Sequence, residues 1–145
     1  MALDRAPTSC LLLTVPTRGR AEPVASSALF SGPERLALDA AIRRAEQTSR
    51  FEFSVYLGPV EGDSSRDFAT QLHNRLVAPA RSVLIMVDPT ARVVEVVTGG
   101  EVRRNISDSE VELAVAAMGD DFGRGDYATG LVRAIDLLAE HARRD

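Results

Sequence analysis

The sequence has no lysine and no tryptophan, and all 17 of its basic residues are arginine. Without lysine, the chain cannot form a Schiff base, use a lysine general base or grip a nucleotide phosphate as Walker-type sites do. Against the arginines stand 21 acidic residues, which give a net charge of −4. A net acidic chain with scattered arginines lacks the basic footprint of a nucleic-acid binder, so we expect no nucleic-acid partner.

Cysteine and long apolar runs are also scarce. Cys10 is the single cysteine, so no internal disulfide can form. The apolar run that starts there, Cys10–Leu13 with Val15 after it, is too short to span a membrane. We therefore expect a cytoplasmic protein with no membrane span.

Motifs for nucleophilic catalysis are missing as well. The sequence has no Gly-x-Ser-x-Gly elbow, and Cys10 has Pro16 where a cysteine phosphatase needs arginine. The two histidines, His73 and His141, have no second histidine at metal-ligand spacing. These enzyme classes are therefore disfavoured.

The 145 residues are one domain's worth of chain. Residues 1–28 mix proline, glycine and small polar residues, which predicts a loose leader with an edge strand at 11–15. Residues 29–145 carry the regular signals and form the predicted α/β domain.

Seven elements follow in that domain. Apolar periodicity predicts helices and strands in the order α-β-α-β-β-α-α, with a small mixed sheet flanked by helices. The predicted bounds are a helix at 33–48, a strand at 51–57, a helix from Ser64, a hairpin of strands 82–88 and 92–98, a helix from Ser107 that breaks between Gly119 and Gly125, and a helix at 126–143. Three of the helices start at Ser-x-x-Glu or Ser-x-x-Asp spacings typical of capping boxes, Ser31 to Glu34, Ser64 to Asp67 and Ser107 to Glu110.

One set of residues could form a functional site: a cluster of aspartates predicted at one edge of the sheet. If strands 51–57 and 82–88 are parallel, the residues that follow them share an edge, and the loop after the Ser107 helix returns to it. Five aspartates are then expected to converge: Asp63, Asp88, Asp120, Asp121 and Asp126. Carboxylate clusters bind hard cations, so this edge predicts a Ca²⁺ or Mg²⁺ site.

A structural role explains the same residues without a metal. Asp63 and Asp126 suit helix caps and Asp88 suits a turn. Three arginines are close enough in sequence to neutralise the acids, Arg66, Arg92 and Arg124.

Three segments resemble the TPM domain, the module named for thylakoid-lumen, photosystem-repair and receptor-accessory proteins. They are the helix and strand of 29–57, the hairpin of 83–99 and the closing segment 108–131. The chain looks closest to an actinobacterial branch known only as a domain of unknown function. The resemblance implies a compact Rossmann-like α/β sandwich, acid phosphatase activity in some members and Ca²⁺ at acidic loops in others. It carries the family's closing motif onto Phe122, Gly125, Asp126 and Tyr127, and the acid after the second strand onto Asp88.

Three functional hypotheses remain. The leading one is a non-enzymatic TPM-like binding or accessory domain, with the divalent-cation site at the acidic edge and a protein partner. The alternative is a metal-assisted phosphomonoesterase that uses the same edge, with Arg66, Arg92 or Arg124 steadying the phosphoryl oxygens. The third is a structural subunit of a larger assembly.

Overall fold

Four strands form a single mixed sheet in the computed structural model, which describes residues 11–14 and 30–143. The strands are β1 (Leu11–Thr14), β2 (Glu52–Leu57), β3 (Ser82–Asp88) and β4 (Val93–Thr98), and they lie side by side in that order. β2 and β3 are parallel, whereas β1 and β4 run antiparallel to their neighbours. The leader predicted for 1–28 lies outside the described residues except for β1, and so does Cys10.

Four helices cover the sheet, α1 (Gly32–Ser49), α2 (Ser65–Asn74), α3 (Asp108–Gly123) and α4 (Tyr127–Ala142). Two short 3₁₀ turns, Pro79–Arg81 and Val102–Arg104, lie at the edge where β3 begins and β4 ends. The predicted element order is thereby confirmed, and the chain has a mixed α/β fold.

Alternation along the strands divides the core into two layers. Phe53, Val55 and Ile85 point to the face that α1, α3 and α4 cover. Tyr56 and Met86 point to the opposite face, which packs on α2. Because α4 contacts both α1 and α3, it is the central helix of the larger layer.

Three helices begin at the serine residues that the sequence predicts as caps. Ser31 and Ser107 form capping boxes with Glu34 and Glu110, as predicted. Ser64 caps α2 by accepting a hydrogen bond from the Asp67 amide. Since each cap satisfies an amide that the helix leaves unpaired, these serines fix where the helices begin.

The predicted break between α3 and α4 is present at residues 124–126, but it begins later than the predicted start at Gly119. α3 continues through Gly119 and ends at Gly123. Met118 and Asp121, on either side of Gly119, are both buried. Tertiary packing therefore outweighs the low helix propensity of a single glycine, which costs about 1 kcal/mol relative to alanine.

No helix within 30–143 is long and apolar enough to cross a membrane.

Candidate functional site

The five predicted aspartates do not share one environment, since Asp88 and Asp121 are buried and the other three are exposed. Asp88 ends β3 on the face that packs against α2, and it is buried. Its carboxylate accepts hydrogen bonds from the amides of Val60 at 2.9 Å and of Thr90 and Ala91 at 3.1 Å. Asp88 therefore ties the loop after β2 to the β3–β4 turn, as a structural turn residue does.

The other four aspartates have different surroundings. Asp63 is exposed in the loop between β2 and α2, and Asp120 is exposed on α3. Asp126 caps α4 by accepting a hydrogen bond from the Thr129 amide at 3.3 Å. Asp121 is fully buried between α3 and α4.

The predicted convergence of these carboxylates is not found. Among residues 30–143, no three His, Cys, Asp or Glu side chains are grouped so that they could hold a metal ion. The sheet separates the two buried aspartates, because Asp88 faces α2 whereas Asp121 belongs to the helices on the opposite side of the sheet. The cation that the resemblance implies has no fitting donor set in this part of the chain.

Asp121 instead pairs with two arginines. Arg133 on α4 donates through Nε at 3.2 Å and through Nη2 at 3.0 and 3.1 Å, and Arg124 donates through Nη2. The Asp121 side chain is 1% exposed, whereas those of Arg124 and Arg133 are 65% and 52% exposed. A buried carboxylate thus holds two guanidinium groups side by side at the surface, and we call this group the arginine pair.

The segment between α3 and α4 fixes the position of this pair. The rings of Phe122 and Tyr127 pack with centroids 4.8 Å apart across the loop. Gly125 turns the chain with φ of 79°, a left-handed value that favours glycine. At Gly130, a β-carbon would lie 2.6 Å from Phe122 Cε1, so only glycine lets α4 approach α3 this closely.

An open groove lies between the first half of α1 and α4, and Arg133 of the arginine pair is among its lining residues. Its volume is about 400 Å³, which is within the range of ligand-binding clefts. Apolar atoms form most of its walls, and Arg133 is one of the residues that line it. The lining residues are Pro33, Glu34, Ala37, Ala128, Thr129, Val132, Arg133 and Asp136.

Most charges around this groove already have partners. Glu34 returns to the Ser31 amide at 2.8 Å in the capping box of α1. Asp136 accepts two hydrogen bonds from Arg44, at 3.0 and 3.1 Å, which joins α4 to α1. Arg133 binds Asp121 through Nε and Nη2, and its side chain is 52% exposed. Arg133 is thus a half-exposed cation in the lining of the groove.

The three arginines predicted to contact phosphate lie on different elements. Arg66 on α2 contacts Glu95 and the Val96 carbonyl of β4. Arg92 is exposed in the β3–β4 turn with φ of 61°, and Arg124 belongs to the arginine pair. Sequence reasoning missed Arg133. The signal that could have found it is its position beside the apolar stripe of α4, the helix that directly follows the acidic segment.

Comparison with known sequences identifies a family and relatives. The family described as Domain of unknown function (DUF5130) matches residues 14–139. Two uncharacterized proteins of Mycobacterium tuberculosis, MT2543 of strain CDC 1551 and Rv2468c of strain H37Rv, are each 31% identical over 123 residues, 83% of this chain and 73% of theirs. These findings agree with the predicted domain of unknown function. They do not confirm the wider TPM resemblance, which stays a prediction.

Solved structures share the fold. The BA42 protein of Bizionia argentinensis is 23% identical with a TM-score of 0.70, over 79% of this chain and 81% of that one. The N-terminal domain of a protein from P. gingivalis is 20% identical with a TM-score of 0.69, over 79% and 77%. At these identities the likeness establishes the architecture alone.

Proposed function

We propose that this chain, which belongs to the Domain of unknown function (DUF5130) family, is a non-enzymatic binding domain that holds an acidic, partly apolar peptide segment of a partner protein. The observation that carries the proposal is that Arg133, one member of the arginine pair, lies in the lining of the α1–α4 groove. The name of the family states no activity.

The walls of the groove favour an apolar ligand surface. Pro33 and Ala37 of α1 face Ala128 and Val132 of α4 across it. Each methylene group that a ligand buries there contributes about 0.8 kcal/mol. Because the groove is open to solvent, it suits a segment that lies on the surface better than a molecule that must be enclosed.

Arg133 in the lining of the groove favours a negative charge on that segment. Arginine presents a planar donor fork that matches a carboxylate in geometry. Asp121 holds both arginines in place before any ligand arrives, so little side-chain entropy is lost on binding. A segment with leucine-like side chains beside glutamate or aspartate combines both requirements.

The surroundings of the acids favour binding over catalysis. Asp121 is neutralised by two arginines, and Asp88 has its oxygens occupied by three backbone amides. A general base needs an oxygen that can reach a substrate proton. The proposal also includes a cytoplasmic location, an expectation that rests on the single cysteine and on the short apolar run near the start of the sequence.

Fluorescence anisotropy with the whole chain tests the proposal. The probe is a short fluorescein-labelled peptide of alternating leucine and glutamate, and its control is the same peptide with glutamine in place of glutamate. We expect the acidic peptide to bind at least about tenfold more tightly, a difference of about 1.4 kcal/mol.

A matched pair of variants places the peptide. Ala37→Glu puts a charged side chain into the groove and should abolish binding, whereas Ala116→Glu makes the same change on the exposed surface of α3 and should not. Equal binding of the peptide by both variants would contradict the claim that the peptide binds in the groove. Cation-dependent hydrolysis of an aryl phosphate by the unmodified chain would overturn the non-enzymatic part and favour the phosphomonoesterase.

A further inference from the structure

β4 has a hydrogen-bonded neighbour on only one side among the described strands. The Gly99 amide donates to the Ser82 carbonyl at 2.9 Å, which makes Ser82 and Gly99 a hydrogen-bonded pair. In an antiparallel ladder such pairs alternate. The register therefore turns the amides and carbonyls of Val94, Val96 and Thr98 away from β3, towards the free edge.

Two arginine side chains occupy carbonyls of this edge. Arg66 of α2 donates from Nη1 to the Val96 carbonyl at 2.8 Å. Arg103, in the turn after β4, donates from Nη1 to the Thr98 carbonyl. These are two of the three carbonyls that point outward, and they are the acceptors that an added strand needs.

A carboxylate anchors the first of these arginines. Glu95 lies on the α2 face of β4, and its Oε1 is 3.4 Å from Arg66 Nη1. Its other oxygen accepts a 2.6 Å hydrogen bond from the Ser65 hydroxyl of α2. Glu95 is largely buried, with 21% of its side chain exposed. Arg66 is thus held in place over the edge by residues of two elements.

We propose that Arg66 and Arg103 keep β4 from pairing with β4 of a second copy of this chain. An exposed strand edge is a template for pairing with another chain, and charged side chains are one way in which proteins block it. An antiparallel pair of β4 strands centred on Val96 places Val94 opposite Thr98, so both blocked carbonyls lie within its ladder. The two arginines therefore bind carbonyls that this pairing would need as hydrogen-bond acceptors.

Light scattering coupled to gel filtration tests this inference with the double variant Arg66→Ala/Arg103→Ala. We expect the double variant to shift from the monomer mass to twice that mass as its concentration rises, at concentrations where the unmodified chain stays monomeric. The matched control Arg43→Ala/Arg104→Ala removes two exposed arginines and should leave the mass unchanged. Glu95→Gln loosens the anchor of Arg66 and should give a smaller shift in the same direction.

A triple variant shows whether the pairing uses β4. Adding Val94→Pro to the double variant removes an outward amide without removing a bond to β3, so the monomer mass should return. A double variant that stays monomeric, or a dimer that persists with Val94→Pro, would overturn the inference. Circular dichroism verifies that each variant is folded.

Discussion

Asp121 is the residue on which the candidate site most depends. Its buried carboxylate accepts hydrogen bonds from Arg124 and Arg133, and hydrogen bonds to charged groups contribute about 1.5–3 kcal/mol each. We expect Asp121→Asn to lower the free energy of unfolding by about 2–3 kcal/mol, because both arginines remain half-exposed and regain water. Urea denaturation measures this change.

The neighbouring residue supplies the control for that variant. Asp120 is exposed on the same helix, so Asp120→Asn should change the free energy of unfolding by less than about 0.5 kcal/mol. Asp121→Asn should also lower the affinity for the acidic peptide, because Arg124 and Arg133 lose the carboxylate that positions them. Equal stability of the two variants would show that Asp121 does not hold the pair.

Glu46 gives the fold a pH dependence. Burial raises the pKa of this carboxyl above its ordinary value of 4.5, against the hydrogen bond from the Phe53 amide at 3.1 Å, and the charge of Glu52 raises it further. Since the folded pKa is raised, the protonated form is favoured by folding. The stabilising contribution is present below the ordinary pKa and is lost as the pH rises through the folded pKa.

Glu46→Gln tests this sign. Glutamine keeps an oxygen for the Phe53 amide but carries no charge, so the variant should gain stability relative to the unmodified chain as the pH rises from about 4 to about 7. Thermal melts at both ends of that range give the comparison. A stability difference that does not grow with pH would contradict the raised pKa.

At the scale of elements, the contact between α3 and α4 depends on Gly130. A β-carbon there would meet Phe122 Cε1 at 2.6 Å and Asp121 Cβ at 3.2 Å. We expect Gly130→Ala to lower the free energy of unfolding by about 1–3 kcal/mol, the usual cost of overpacking, despite the better helix propensity of alanine. The measurement is urea denaturation.

Gly119 on α3 is the matched control, because nothing lies within 4 Å of the β-carbon that alanine would add. Gly119→Ala should raise the free energy of unfolding by about 0.5–1 kcal/mol through helix propensity alone. Opposite signs for the two substitutions are the expected result. The same sign for both would mean that α3 and α4 do not approach as closely as described.

Elements were also the part of the structure that the sequence predicted best. Local signals decide where helices begin, and Ser31, Ser107 and Asp126 all cap as their spacing indicates. The break before α4 was predicted to start too early, at Gly119, because that glycine was treated as a local signal. Whether a glycine ends a helix depends on what its neighbours pack against, which periodicity does not show.

For the whole molecule, the site was harder to predict than the fold. Strand order places Asp88 and the loop after α3 at the same edge, but the edge has two faces and the sequence does not say which face each residue occupies. The groove is lined by residues that are far apart in the sequence, such as Pro33 and Ala128. No local pattern connects such positions, so the arginine pair and its groove emerged only from the folded structure.

Chemical-shift mapping of the ¹⁵N-labelled chain with the acidic leucine–glutamate peptide tests the central claim most directly. The binding domain proposed here predicts amide shifts confined to residues 33–37 and 124–136, with the largest beside Arg133. Shifts centred on Asp63 and Asp88 instead, or no shifts with this peptide at millimolar concentration, would contradict it.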